Sequence, residues 1–199
     1  MEMSAEQRKE YIILNAIDLI HENGIHNVST KEIARRIGIS EGLVFKLFPR
    51  KNDIIKAVLD KFSFYDKDMF HTAMNKTEDR KEAILFYIKS FLIYYENYPA
   101  ITAVFQVYDT LKWDRELEDI SKNIFLDRLE DMTKLLQKAQ ETGSVDASIN
   151  SEIIADIITS TISGMCLKWR LMDFDFSLQE KTLYAVNLLL DAITITKKN

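Results

Sequence analysis

The sequence predicts an all-α fold, and three observations carry that prediction. Apolar residues recur at three- and four-residue steps in segment after segment, the period of a helix with one buried face. Only 5 Gly and 2 Pro interrupt 199 residues, too few turn residues for an all-β chain. The composition, 47% hydrophobic and 29% charged, lets a chain of this length bury a sizeable core.

The first helix is expected over residues 5–23, where Ile13, Ala16, Ile17 and Ile20 form the apolar stripe and Asn23-Gly24 ends it. Ser29 opens a second helix. Glu32 stands at the spacing of a reciprocal cap, in which each side chain takes the other's free backbone N–H. Ile33, Ala34 and Ile37 give this helix a buried side, and Gly38 stops it. Ile39 follows as a plug, Ser40 caps a third helix from Glu41 to about Leu47, and Pro49 keeps it short. A fourth helix is expected over 52–75, and others over 78–97, 100–112, 115–142, 150–172 and 177–196. The breaks fall at Tyr98-Pro99, Trp113-Asp114, Thr142-Gly143-Ser144 and Asp173–Ser177. No flexible linker appears. The head, residues 1–51, is therefore expected to pass into a second domain, residues 52–199, through the fourth helix itself.

Charge is unevenly placed. The chain carries −5 overall, yet residues 31–61 hold eight basic and four acidic side chains. An acidic body with a basic corner suits one localised polyanion-binding surface. The single cysteine, Cys166, excludes an internal disulfide and a multi-cysteine metal site, and a reducing, cytoplasmic compartment is expected. The N-terminus lacks the apolar core of a signal peptide. The longest apolar tract, IIADIITSTISGMC, is too short to span a bilayer and carries Asp156, so no membrane partner is expected.

Two short helices joined by a tight glycine turn make the helix-turn-helix that reads DNA. Small Ala34 lets the helices approach, Gly38 makes the turn, and Ile39 with Val44 fills the angle between them. The second of the two, Glu41–Leu47, is then left protruding, ready for a major groove of double-stranded DNA.

Ile13-Leu14-x-Ala16, Gly24, Ser29-x-x-x-Ile33-Ala34, Gly38-Ile39-Ser40, Gly42, Phe45-x-x-Phe48, Lys51 and Ile54 together resemble the N-terminal signature of the TetR family of bacterial transcriptional regulators. The resemblance covers about residues 8–55. It implies a three-helix DNA-binding head followed by a helical ligand-binding and dimerisation domain. It also implies residue roles. Thr30 matches a phosphate-contacting position, and Lys31 one that reaches a base or phosphate. Glu41, Gly42, Leu43 and Lys46 lie where the recognition helix faces base edges, the capping Ser40 counts with them among the DNA-binding residues, and Lys51 resembles a phosphate anchor. The chain departs from the family where Phe45 replaces the usual tyrosine and Leu47 a frequent histidine. Both apolar choices point to packing within the head, with the Phe45 ring also able to press on a sugar or thymine methyl. Arg50 stands where a small capping residue is common, and adds a cation that offsets the missing phenol.

Residues 78–113 are rich in aromatic side chains, and the default reading of these at helical spacing is core. The resemblance adds a small-molecule pocket in the second domain, for which Phe91, Tyr94, Tyr95, Phe105, Tyr108, Met165 and Trp169 are the candidates; it does not name the effector. In the last two helices Ile153, Ile154, Ile157, Ile158, Thr161, Ile162 and Met165 cover a wider arc than one neighbour requires, and Leu183, Val186, Leu190 and Ile193 form a second stripe; Ile154, Ile158, Thr161, Ile162, Met165, Val186, Leu190 and Ile193 are the interface candidates. The resemblance implies that these two helices pair with a second copy as a four-helix bundle. The expected activity is that of a ligand-responsive repressor binding a palindromic operator as a homodimer.

Two rivals stand beside it. An enzyme would need an activated constellation: His21, His26 and His71 lack metal spacing, no nucleophile motif occurs, and no cofactor or metal is expected. A helical protein-interaction module that has lost specific DNA binding is the second, since the phenol is missing and Glu41 places a negative charge in the groove. If the missing hydroxyl weakens a phosphate contact, Phe45→Tyr tightens operator binding in a fluorescence-anisotropy titration. Unchanged or weaker binding counts against that account.

Overall fold

The computed structural model describes residues 3–76 and 79–194. The described residues form helices and connecting turns, grouped in two compact units. One unit comprises residues up to Phe64 together with Tyr98–Ile124. The other comprises Tyr65–Asn97 and the chain from Phe125 onward.

In the first unit, helix α1 (Ala5–Asn23) opens on a reciprocal cap: Ser4 Oγ accepts from Gln7 N–H at 3.1 Å, and Gln7 Oε1 from Ser4 N–H at 2.9 Å. Its buried side is Ile12, Asn15, Ala16, Ile17, Leu19 and Ile20, so the stripe sits one residue nearer Ile12 than the Ile13 expected. Helix α2 (Thr30–Ile37) is capped by Ser29, which accepts from Glu32 N–H at 3.1 Å. The expected return bond does not form; the Glu32 carboxylate instead holds Arg35. Gly38 follows at φ +71° and ψ 32°, left-handed backbone in which a side chain is strained. Helix α3 (Glu41–Leu47) then starts at Ser40, whose Oγ accepts from Leu43 N–H at 3.3 Å.

Helix α4 (Lys51–Ser63) buries Ile54, Ile55, Val58, Leu59 and Phe62. It stops well short of the 52–75 expected. Ser63 Oγ donates to Leu59 O at 3.1 Å, competing for a carbonyl of the helix ladder. The chain turns through Phe64 and Tyr65, and α5 (Asp66–Lys76) begins afresh. The expected 100–112 helix is also different: Pro99–Val107 winds as a 3-10 helix and only Tyr108–Leu111 (α7) is α-helical. The 3-10 segment buries Ile101, Thr102, Ala103 and Val104 and packs on α1.

In the second unit, α6 (Arg80–Asn97) runs antiparallel to α10 (Leu178–Ile193). Lys81 pairs with Asp191 at one end; at the other, Glu96 Oε1 accepts from Ser177 Oγ and Gln179 N–H, both at 3.0 Å. Helix α8 (Glu118–Glu141) contributes to this unit from Phe125, and α9 (Ser151–Leu171) is capped by Asn150. After α9 the chain reverses at Asp173 and Phe174, where Trp169 Nε1 donates to Phe176 O at 2.8 Å. The expected helix ends at 78 and at 195–196 lie outside the described residues.

Two glycines have opposite backbone demands, although a Cβ at either meets nothing within 4 Å. Gly38→Ala should cost about 1 kcal/mol of stability because its φ is positive, whereas helical Gly42→Ala should add about 0.5–1 kcal/mol. Urea unfolding of the two variants checks both signs.

Candidate nucleic-acid interface

The interface is built on α3, which is held by its inward side. Val44 and Phe48 are buried, while Glu41, Gly42, Phe45 and Lys46 are exposed and Leu43 is half-buried. Phe45 is 58% exposed, so the packing role expected for it is not seen; Leu47 is half-buried. Thr30, the first residue of α2, donates its hydroxyl to Glu41 Oε1 at 3.0 Å. That bond ties the start of α2 to the start of α3 across the turn.

Most of the local cations are already engaged. Arg36 makes a double hydrogen bond to Glu22, at 2.6 and 2.7 Å, and reaches Asn15 Oδ1. Arg50 divides its guanidinium between Asp53 and Glu116, at 2.9 and 2.8 Å. Lys56 also pairs with Glu116, and Lys61 with Glu10. Lys51 donates to Ile25 O at 2.8 Å and to His26 O at 3.4 Å, leaving one of its three N–H donors, and burial pushes its pKa below the ordinary lysine value. Among the described residues, Lys31 and Lys46 are exposed and form no ion pair. The outward cationic surface of the head is therefore smaller than its composition suggests.

The seven residues expected at a pocket divide between the units. Phe105 and Tyr108 lie in the first, edge-on to Phe62 and to each other. Phe91, Tyr94, Tyr95, Met165 and Trp169 lie in the second, where Phe91, Tyr95 and Trp169 are buried. The sequence reading missed a polar centre in that second unit. Asp66 and Arg128 form a bidentate, largely buried ion pair, and Arg128 donates to the Tyr95 hydroxyl at 3.2 Å. Asp131 lies beside it. Burial, with Asp127, Asp66 and Glu130 nearby and Lys134 opposing, pushes its carboxyl up to about 6.

On α9 and α10 the expected interface residues face two ways. Ile154, Ile158, Val186 and Leu190 are buried in the subunit's own core, and Thr161, Ile162, Met165 and Ile193 are half-buried. The apolar residues left exposed are Ile153, Ile157, Leu167 and Leu171 on α9, and Tyr184 and Leu188 on α10. With exposed Ser160 and Gly164 between them, the α9 set repeats at alternating four- and three-residue steps, the seam of paired helices.

The family description "Bacterial regulatory proteins, tetR family" matches residues 12–58, and "MAATS-type transcriptional repressor, C-terminal region" matches residues 111–195. The chain belongs to the TetR family. It is a transcriptional regulator rather than an enzyme, and a helical module without DNA binding is not favoured. The fatty acid metabolism regulator protein of Bacillus subtilis (strain 168) is 22% identical over 193 residues, 94% of this chain and 97% of that protein. Two solved structures share the TetR fold. The fatty acid degradation regulator FadR from Bacillus halodurans has a TM-score of 0.80 at 19% identity, covering 96% of this chain and 97% of that one. The regulator FadR from Bacillus subtilis, in complex with stearoyl-CoA, has a TM-score of 0.79 at 21% identity, covering 92% and 98%. No helix among the described residues is long and apolar enough to cross a membrane.

Because the Asp131 carboxyl holds its proton more tightly in the folded regulator than in the unfolded chain, stability falls as pH rises between about 4 and 6. Asp131→Asn should therefore raise Tm at neutral pH, with the gain vanishing below about pH 4, as read by thermal scans across that range.

Proposed function

We propose that this TetR-family chain represses transcription in the cytoplasm as a homodimer on an inverted-repeat operator, and leaves it when a small molecule binds the regulatory unit. The observation that carries this is the outward face of α3, which presents Glu41, Phe45 and Lys46 from a buried Val44–Phe48 foundation. In this reading Ser40, Glu41, Gly42, Leu43, Phe45 and Lys46 meet base edges and sugars, and Lys31 meets a phosphate. Thr30 holds Glu41, an acceptor-only side chain suited to a cytosine or adenine amino group. Arg50 and Lys51 contribute through the donors their internal bonds leave over.

The dimer seam proposed is the exposed row on α9 with Tyr184 and Leu188 of α10, rather than the buried Ile154, Ile158, Val186 and Leu190. Small Ser160 and Gly164 let paired α9 helices approach. Two recognition helices related by a two-fold axis read two half-sites. Release follows only if the effector binds the DNA-incompetent arrangement more tightly than the competent one.

Selection of bound duplexes from a random pool tests the reading, run with the natural chain and with Leu171→Glu, which places a charge in a 75% exposed seam position. The natural chain should enrich an inverted repeat, and the variant should be monomeric and enrich none. No enrichment by the natural chain, or a repeat from a monomeric variant, overturns it.

A further inference from the structure

The polar centre of the second unit has more negative than positive charge. Arg128, on α8, faces Asp66 of α5 with both side chains almost buried, at 12% and 13% exposure, and lies over the Phe91 ring, 4.8 Å from its centroid. Asp131, one turn along α8, forms no ion pair among the described residues. Of the two cations near it on its own helix, Arg128 is taken by Asp66, and Lys134 is exposed and pairs with Glu130 at 2.7 Å. The Tyr87 hydroxyl of α6 is the second observation. Tyr87 is 2% exposed, and its oxygen is buried without a hydrogen bond. Asp131 stands nearest it, close enough to act on the hydroxyl as a hydrogen-bonding neighbour though without the geometry of a formed bond, and Asp66 and Arg128 act on it by charge. Two carboxylates and a phenol thus share one guanidinium.

We propose that this cluster recognises the effector, and that the effector is an organic cation with an apolar body. The proposal rests on the reading above that a small molecule bound in this unit releases the DNA. An ammonium placed beside Asp131 gives that carboxylate a charge-assisted hydrogen bond and gives the Tyr87 oxygen a donor. With Arg128 already on Asp66, two cations then face two carboxylates. The rings of Phe70, Tyr87 and Phe91 stand edge-to-face, with centroids 6.3 and 5.0 Å apart, and offer apolar area to its body, while Lys134 lies over Phe70 at 6.0 Å and Arg128 over Phe91. Among the described residues no group of three or more His, Cys, Asp or Glu side chains is placed to hold a metal ion, so the cation fits as an organic one.

Calorimetric titration of the full chain at neutral pH tests this with 4-phenylbutylamine, its neutral counterpart 4-phenylbutanol, its anionic counterpart 4-phenylbutyrate, and stearoyl-CoA. The amine should bind at least about tenfold more tightly than the other three, and Asp131→Asn and Tyr87→Phe should each weaken it by about tenfold. The site is overturned if the amine shows no saturable binding up to about 1 mM, if both variants bind it like the natural chain, or if the alcohol, the butyrate or stearoyl-CoA binds more tightly. Anisotropy of labelled operator, recorded alongside, reads release separately. Amine binding that is lost in both variants, with the operator still bound by the natural chain at saturating amine, upholds the cation site and overturns release through it.

Discussion

Seven residues do not make a stable helix in water. Helix α3 exists because Val44 and Phe48 are pinned in the head's core, Ser40 satisfies its first turn, and Gly38 sets the direction in which it leaves α2. Everything the head can offer to DNA depends on that anchorage: a short helix fixed along its inner edge keeps its outer side chains in register. The Thr30–Glu41 hydrogen bond adds a polar strut at the same corner. The protruding geometry is therefore a property of the core beneath it, and the side chains on its outer face are free to vary with the sequence to be read.

Electrostatics in the head is local and already partly settled. Residues 31–61 hold eight cations, but Arg35, Arg36, Arg50, Lys56 and Lys61 are matched to carboxylates and Lys51 to backbone carbonyls. Exposed ion pairs of this kind contribute little stability. Their larger effect is to hold long side chains in defined places. The Arg50–Glu116 and Asn52–Asp114 contacts fasten the start of α4 to the turn before α8, a long-range link inside the first unit.

The helix-turn-helix was legible because its determinants are local: a cap at Ser29, a turn at Gly38, a cap at Ser40 and a stop at Pro49 all act within a few residues. The 52–75 segment read as one helix because its apolar period runs on through Phe62 and Tyr65; nothing local announces that Ser63 will bond back to Leu59. The faces of α9 and α10 were harder. Both Ile153 and Ile154 continue a helical period, and only packing decides that Ile154 goes inside. The polar centre left a trace that was not read: Arg128 stands four and seven residues before buried Met132 and Leu135, a charge on the core stripe of α8. Its partner Asp66 is distant in sequence, so pairing could not be inferred from spacing.

The 3-10 winding of Pro99–Val107 has a consequence of its own. A 3-10 helix rises about 2.0 Å per residue and an α-helix about 1.5 Å, so recoiling nine residues would draw in the segment by about 4.5 Å. Pro99 at its start has no backbone N–H to re-pair, and α7 directly after Val107 is already wound in the tighter-rising form. Along α1, the chain thus carries a stretch of slack that a change in winding alone can take up.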